Sequence, residues 1–99
     1  MTTYKLKFVE EALKEYQALD NGVKAQFKKK LQEILVNPHR PANQVSGMAS
    51  AYKIKLKKSG FRLVYIVHDD AIVVQVISVG KRERLAVYRK AMSRMLDRS

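Results

Sequence analysis

The chain contains no cysteine, which excludes a disulfide framework and any thiolate metal site. It is short of acid as well, with 9 Asp+Glu against 20 Lys+Arg. Paired carboxylates for acid–base or two-metal chemistry are correspondingly scarce, and the adjacent Asp69-Asp70 reads as a turn. Its two histidines, His39 and His68, stand far apart, one in a proline-bearing segment and one at a strand end. That gives a two-histidine nuclease no evident pairing. There is no glycine-rich phosphate loop and no Walker motif. Also missing are an apolar run of membrane-spanning length, a signal-peptide pattern, a lipidation motif, an internal repeat and a low-complexity tract. These absences describe a reduced, cytoplasmic, soluble protein that works without a membrane, a cofactor or a metal.

What remains is positive charge. A formal net charge of +11 on 99 residues implies self-repulsion that a polyanionic partner would relieve, either nucleic acid or an acidic protein. The length suits one domain over residues 1–99 with a modest core. Tyr4, Leu6 and Phe8 alternate with Lys5 and Lys7, as in a short half-buried strand. Ala12, Leu13, Tyr16 and Leu19 then recur at helical spacing, and Asp20-Asn21-Gly22 reads as a stop. Val23, Phe27, Leu31 and Leu35 predict a second helix that ends at Asn37-Pro38, because the residue before proline is pushed out of the α region.

After an irregular connection over 39–50 come three strand-like runs, Tyr52 to Lys57, Phe61 to His68 and Ile72 to Val79. Lys58-Ser59-Gly60 and Asp69-Asp70-Ala71 join them as hairpin links. The β-branched run at 72–77 fits a central strand covered on both faces. Gly80 punctuates the chain, and Leu85, Tyr88, Met92, Met95 and Leu96 give a last helix its apolar stripe. The order predicts an α+β fold: an N-terminal strand, a two-helix hairpin, an antiparallel sheet of about four strands and a C-terminal helix. The hairpin covers one sheet face and leaves the other for display.

The chemistry-bearing stretch is Tyr52-Lys53-Ile54-Lys55-Leu56. Residues two apart on a strand share a face roughly 6–7 Å apart, so Lys53 and Lys55 present two ammonium groups side by side. Their repulsion disfavours double protonation and favours a lysine able to act as a base. A lysine row also guards a sheet edge against pairing, and that bland reading stands beside the chemical one. Arg62 opens the next strand and should lie near Lys55 across the ladder, where its guanidinium could grip a phosphate through two nitrogens. Lys81, Arg82 and Arg84 crowd a strand-to-helix turn, where cations oppose the helix macrodipole unless an anion binds. Tyr88 is in register with the apolar stripe of its helix, as core or as a ring for a nucleobase. Lys28-Lys29-Lys30 reads as a solvated helix face within reach of RNA phosphates.

Taken in order, A-L-K-E, K-K-K-L, Y-K-I-K-L, S-G-F-R-L-V-Y and V-I-S-V-G-K-R-E-R, followed by the helix with Tyr88, give the chain a likeness. It resembles the RelE family of bacterial toxins almost end to end. The resemblance implies a type II toxin–antitoxin toxin: a ribosome-dependent endoribonuclease that cuts messenger RNA in the ribosomal A site. The attacking group is the substrate's 2′-hydroxyl and the product carries a 2′,3′-cyclic phosphate.

It also implies roles. Lys55 would be the general base, with Lys53 and Arg62 stabilising the transition-state phosphate. Arg82 would stand near the leaving 5′-oxygen, and Tyr88 would stack on a codon base. Lys28, Lys29, Lys57, Lys58, Lys81 and Arg84 are expected to contact RNA or ribosome. One departure is Ser46, where relatives often carry a basic residue before the Gly-Met pair; Lys57-Lys58 could compensate. The implied partners are the programmed ribosome and an acidic RelB-like antitoxin that blocks the site, with operator DNA reached only through that antitoxin. A non-catalytic RNA- or ribosome-binding module is the alternative.

Overall fold

A computed structural model describes residues 3–48, 50–81 and 86–97, with side chains at 86–88, 96 and 97 outside the description. The element order is β1 (Lys5–Phe8), α1 (Glu10–Gln17), α2 (Asn21–Val36), a 3-10 turn (Pro41–Asn43), β2 (Ala51–Lys55), β3 (Phe61–His68), β4 (Val73–Lys81) and α3 (Ala86–Asp97). The sheet order is β1-β4-β3-β2. The β2–β3–β4 meander is antiparallel as expected, while β1 joins β4 in parallel, so the sheet is mixed.

Register fixes the faces, since residues paired across strands project to the same side. Tyr52 pairs with Tyr65 and Tyr65 with Val76, which lies opposite Phe8 in β1. The Phe8 ring meets Tyr16 of α1 at 5.3 Å between centroids, so the α1–α2 hairpin covers this side. Val23, Phe27, Leu31 and Ile34 of α2 are buried there, with Leu35 half-buried. Lys53, Lys55, Val64, Arg62, Ser78 and Gly80 form the other side by the same register. A Cβ on Gly80 would meet Lys90 Nζ at 3.4 Å, so α3 packs on that second face, against β4 and β3.

Several elements depart from the sequence expectation for local reasons. Asp20 does not stop α1; it caps α2, its carboxylate accepting the Val23 N–H at 2.8 Å. Leu13 and Met92 are exposed rather than core, and Ala91 is fully buried in α3. Gly80 lies inside β4 and does not end it. Ile72 belongs to the turn, in the left-handed region at φ 54°, and β4 starts one residue later. Gly60, at φ 76°, closes the β2–β3 link where a side chain would be strained.

β4 carries one extra residue. Val64 pairs with Ser78 but Tyr65 with Val76, which leaves Ile77 as a bulge. The bulge turns the Ile77 carbonyl and Val79 N–H toward the edge that β1 has left, because β1 contacts end where Val9 N–H bonds Val76 O at 3.0 Å. Arg94 supplies the partner for the Ile77 carbonyl at 2.9 Å, and Glu15 for the Val79 N–H at 3.2 Å. Among the described residues, no helix is long and apolar enough to cross a membrane.

Candidate functional site

The hairpin between β2 and β3 brings two cations directly opposite one another. Lys55 pairs with Arg62, and Arg62 with Gly80 on β4, so a transverse row runs cation, cation, glycine. One step along, Lys53 pairs with Val64 and Val64 with Ser78. Lys53 and Lys55 therefore share a face with Arg62, as the alternation predicts. Lys55 is exposed, while Lys53 and Arg62 are half-buried. Lys81 pairs with Phe61 at the same end of the sheet, its ammonium 5.5 Å from the ring centroid.

Arg62 is only partly satisfied. One terminal nitrogen donates to the Phe61 carbonyl at 3.2 Å, while its buried Nε has no hydrogen-bond partner among the described residues. A buried guanidinium N–H without an acceptor costs about 1–3 kcal/mol and is most readily met by an anion. Ser78 Oγ, fully buried on the same face, is the other such atom. The face can bind phosphate oxygens and stabilise charge that develops on them.

The remaining expected contacts divide by position. Lys57 and Lys58 are exposed in the β2–β3 link, beside the end of the strand that carries Lys55. Lys28 and Lys29 sit on α2, which covers the opposite face of the sheet, so the structure does not bring them to the cationic row. Lys28 instead lines a groove of about 570 Å³ with Leu6, Phe8, Tyr16, Leu31 and Leu35. Arg82 and Arg84 lie outside the described residues, and Tyr88 is placed only as a member of α3.

Two clusters went unseen in the sequence. The first joins Glu15 of α1 to Lys90 and Arg94 of α3, at 2.6 Å and 2.8 Å. Burial pushes the Glu15 carboxyl up, but hydrogen bonds from Arg94, Lys90 and the Val79 N–H outweigh it and hold it below the ordinary range. The second cluster corrects the view of His39 as isolated. Its Nε2 lies 2.8 Å from Asp69 Oδ1 and its Nδ1 lies 3.2 Å from the Tyr52 hydroxyl. Tyr4 donates to the same Asp69 oxygen at 2.7 Å, and these bonds from Tyr4 and His39 lower the Asp69 pKa. Partners 64 to 79 residues from Glu15, and 65 and 30 residues from Asp69, leave no spacing signal for either cluster. Among the described residues, no group of three or more acidic, histidine or cysteine side chains could hold a metal ion.

Residues 6–86 match the family described as the ParE toxin of type II toxin–antitoxin system, parDE. The chain is similar to the mRNA interferase toxin RelE of Escherichia coli K12, with 55% identity over 93 residues, or 94% of this chain and 98% of that one. It is similar in structure to a free, arginine-substituted mutant of the E. coli toxin RelE, with TM-score 0.88 and 52% identity over 94% of this chain and 98% of that one. A chain of the intact E. coli RelBE toxin–antitoxin complex aligns with TM-score 0.80 and 56% identity, covering 82% of this chain and 99% of that one.

Proposed function

The chain belongs to the RelE family of type II toxin–antitoxin toxins, and from that premise we propose a metal-independent endoribonuclease, an mRNA interferase acting in the ribosomal A site. The observation that carries the reading is the Lys55–Arg62 cross-strand pair with Lys53 on the same face, where the buried Arg62 Nε lacks an acceptor among the described residues.

In this mechanism the Lys55 amine takes the proton from the 2′-hydroxyl of the messenger. The 2′-oxygen attacks the adjacent phosphorus, the bond to the 5′-oxygen breaks, and a 2′,3′-cyclic phosphate is left on the upstream fragment. Negative charge builds on the non-bridging oxygens as the new bond forms. Arg62 and Lys53 stabilise it, a contribution of several kcal/mol when donors are fixed in advance. Arg82 is assigned to the leaving 5′-oxygen, where its charge offsets the developing alkoxide before that oxygen takes a proton from solvent water. An arginine has too high a pKa to be a strong acid, so its contribution is chiefly electrostatic. Tyr88 stacks on a codon base. In-line attack requires an orientation that flexible RNA rarely adopts, and the ribosome supplies it. Free RNA is then a poor substrate.

The same charge governs the partners. An acidic RelB-like antitoxin would neutralise part of the +11 and cover the cationic row. The apolar groove of Leu6, Phe8 and Leu31, with Lys24 and Lys28 among its lining residues, suits an amphipathic acidic segment of that antitoxin. Operator DNA is reached only through it. The single domain over 1–99 acts in the cytoplasm, where ribosomes are.

Primer extension on messenger bound to programmed ribosomes tests the reading. Cuts within the A-site codon that require ribosomes are expected, and they disappear in Arg62→Ala while ribosome binding persists. Intact messenger beside confirmed A-site binding of the unmodified protein would instead establish a non-catalytic ribosome-binding module.

A further inference from the structure

β4 ends at Lys81 and α3 begins at Ala86, and a single carboxylate is tied to both. Glu15 Oε1 accepts the Val79 N–H at 3.2 Å, two residues before the end of β4. The same oxygen accepts from Arg94 at 2.8 Å, and Oε2 accepts from Arg94 at 3.2 Å and from Lys90 at 2.6 Å. Arg94 also reaches the Ile77 carbonyl at 2.9 Å. The Glu15 and Arg94 side chains are only 22% and 14% exposed, so the pair is shielded from screening by water and salt. α1 lies on one side of the sheet and α3 on the other, and the clasp passes around the free edge of β4 between them.

Three features make this more than a surface ion pair. The carboxylate is bidentate toward one guanidinium, which fixes direction as well as distance. Its third ligand is a backbone N–H that the Ile77 bulge exposes and that would otherwise lack a partner. Lys90 lies against Gly80, the residue in register with Arg62 and hence with Lys55, so α3 is set directly beside the cationic row. Tyr88 is two positions before Lys90 on the same helix.

We infer that Glu15 is a positioning residue of the RNA-cleaving site: it fixes α3, and with it Tyr88, against the end of β4 from the opposite layer of the molecule. The inference rests on the nuclease reading above. Glu15 touches no reacting atom and acts through Lys90, Arg94 and Val79. Removing its charge leaves the lysine row intact but frees the angle of α3, and loose placement of a stacking group costs rate more than it costs encounter with the ribosome.

The test uses Glu15→Gln in the full chain, read three ways. Hydrogen exchange is expected to lose protection over 86–97 while residues 61–76 keep theirs. Affinity for programmed ribosomes is expected to stay within about twofold, because the phosphate-binding cations remain. Single-turnover cleavage is expected to fall about 10- to 100-fold, the scale of a misplaced reacting geometry. A purely structural role would lower ribosome binding and cleavage together, in proportion to the fraction unfolded. If Glu15→Gln does not fold, Lys90→Gln removes one arm of the clasp and carries the same readouts at smaller amplitude. Unchanged α3 protection, or lost protection with wild-type cleavage, would overturn the inference. Failure of the unmodified protein to cut would instead count against the nuclease reading, since the exchange measurement stands without it.

Discussion

The two ends of the β2–β3–β4 meander differ in how completely their polar groups are matched. At the Ala51–Asp69 end, Tyr4, His39, Tyr52 and Asp69 bond one another. The Tyr65 hydroxyl there donates to the Pro38 carbonyl at 2.9 Å, and its ring stacks on Tyr52 at 5.6 Å. At the Lys55–Arg62–Lys81 end, Arg62 Nε is buried and has no hydrogen-bond partner among the described residues. Folding selects for matched groups, because each unmatched buried one costs about 1–3 kcal/mol. An end left unmatched therefore points to something outside the chain that completes it. The matched end holds the fold, and the unmatched end carries Lys53, Lys55 and Arg62, the residues proposed to meet phosphate.

The strongest way to break that contrast is to remove a cation from the unmatched end. Arg62→Ala should lower single-turnover cleavage on programmed ribosomes about 10²- to 10³-fold, the scale of losing one preorganised donor to a transition-state oxyanion. Its thermal stability should hold or rise slightly, because an unsatisfied buried N–H is removed with it. A large loss of stability without loss of cleavage would place Arg62 among the structural residues. Lys55→Arg asks a narrower question, keeping charge but removing the proposed base. A cleavage rate that is unchanged across pH would remove Lys55 from that role.

Acid separates the ends next. The Glu15 carboxyl titrates below its ordinary value in the folded protein. A group with a lowered folded pKa contributes stability above its unfolded pKa of about 4.3 and loses it as pH falls through the folded value. Protection of α3 amides should therefore decline below about pH 4, ahead of the Tyr65 core, and Glu15→Gln should abolish that separate step. Coincident loss of both regions at every pH would mean that the clasp does not hold α3 independently.

At the matched end, Tyr65→Phe removes one buried hydroxyl, whose pKa burial raises well above the ordinary tyrosine range. It leaves the Pro38 carbonyl without that donor. The expected cost is about 1–2 kcal/mol in denaturant unfolding, with cleavage per folded molecule unchanged. Loss of cleavage there would connect the two ends in a way the contrast denies.

These differences explain what could be read from the sequence. Lys53 and Lys55 were legible because a strand's period of two puts them on one face, and Arg62 because it opens the next strand; the Lys55–Arg62 register itself follows from a link over 56–60, longer than the three residues expected. The helical hairpin was legible from apolar spacing, but the second face is not left open as expected, because α3 packs across β4 and β3 there and only the β2 side, with Lys53 and Lys55, stays clear of it. Glu15 was not, because its partners are 64 to 79 residues away and only the bulge at Ile77 creates the vacant N–H it fills. His39 and Asp69 likewise meet only once the sheet has formed. The parallel seat of β1 against β4 depends on which edge the helices leave open, a tertiary outcome that no local pattern specifies. Ile72 was assigned to a strand because β-branched residues favour one, and the turn overrode that preference.

Ile72 also gives the gentlest test of the contrast. It sits at the matched end, in the Asp69–Ile72 turn, at φ 54° and 41% exposed. A β-branched side chain there clashes with its own backbone at a cost of about 1–2 kcal/mol, which asparagine or glycine largely avoids. Its carbonyl still accepts the Lys5 N–H at 2.9 Å, a bond that depends on the backbone and survives substitution. Strain of this kind often marks a functional site, yet Ile72 lies at the far end of the sheet from the cationic row. Ile72→Asn should raise stability by about 1 kcal/mol, or about 4–8 °C in Tm for a domain of this size, and leave cleavage unchanged. If the variant is more stable but cuts messenger more slowly, the strained turn serves the nuclease, and the two ends are not separable. If it is more stable and equally active, the matched end can be improved at no cost to function, and the mismatch at the other end is the part that function requires.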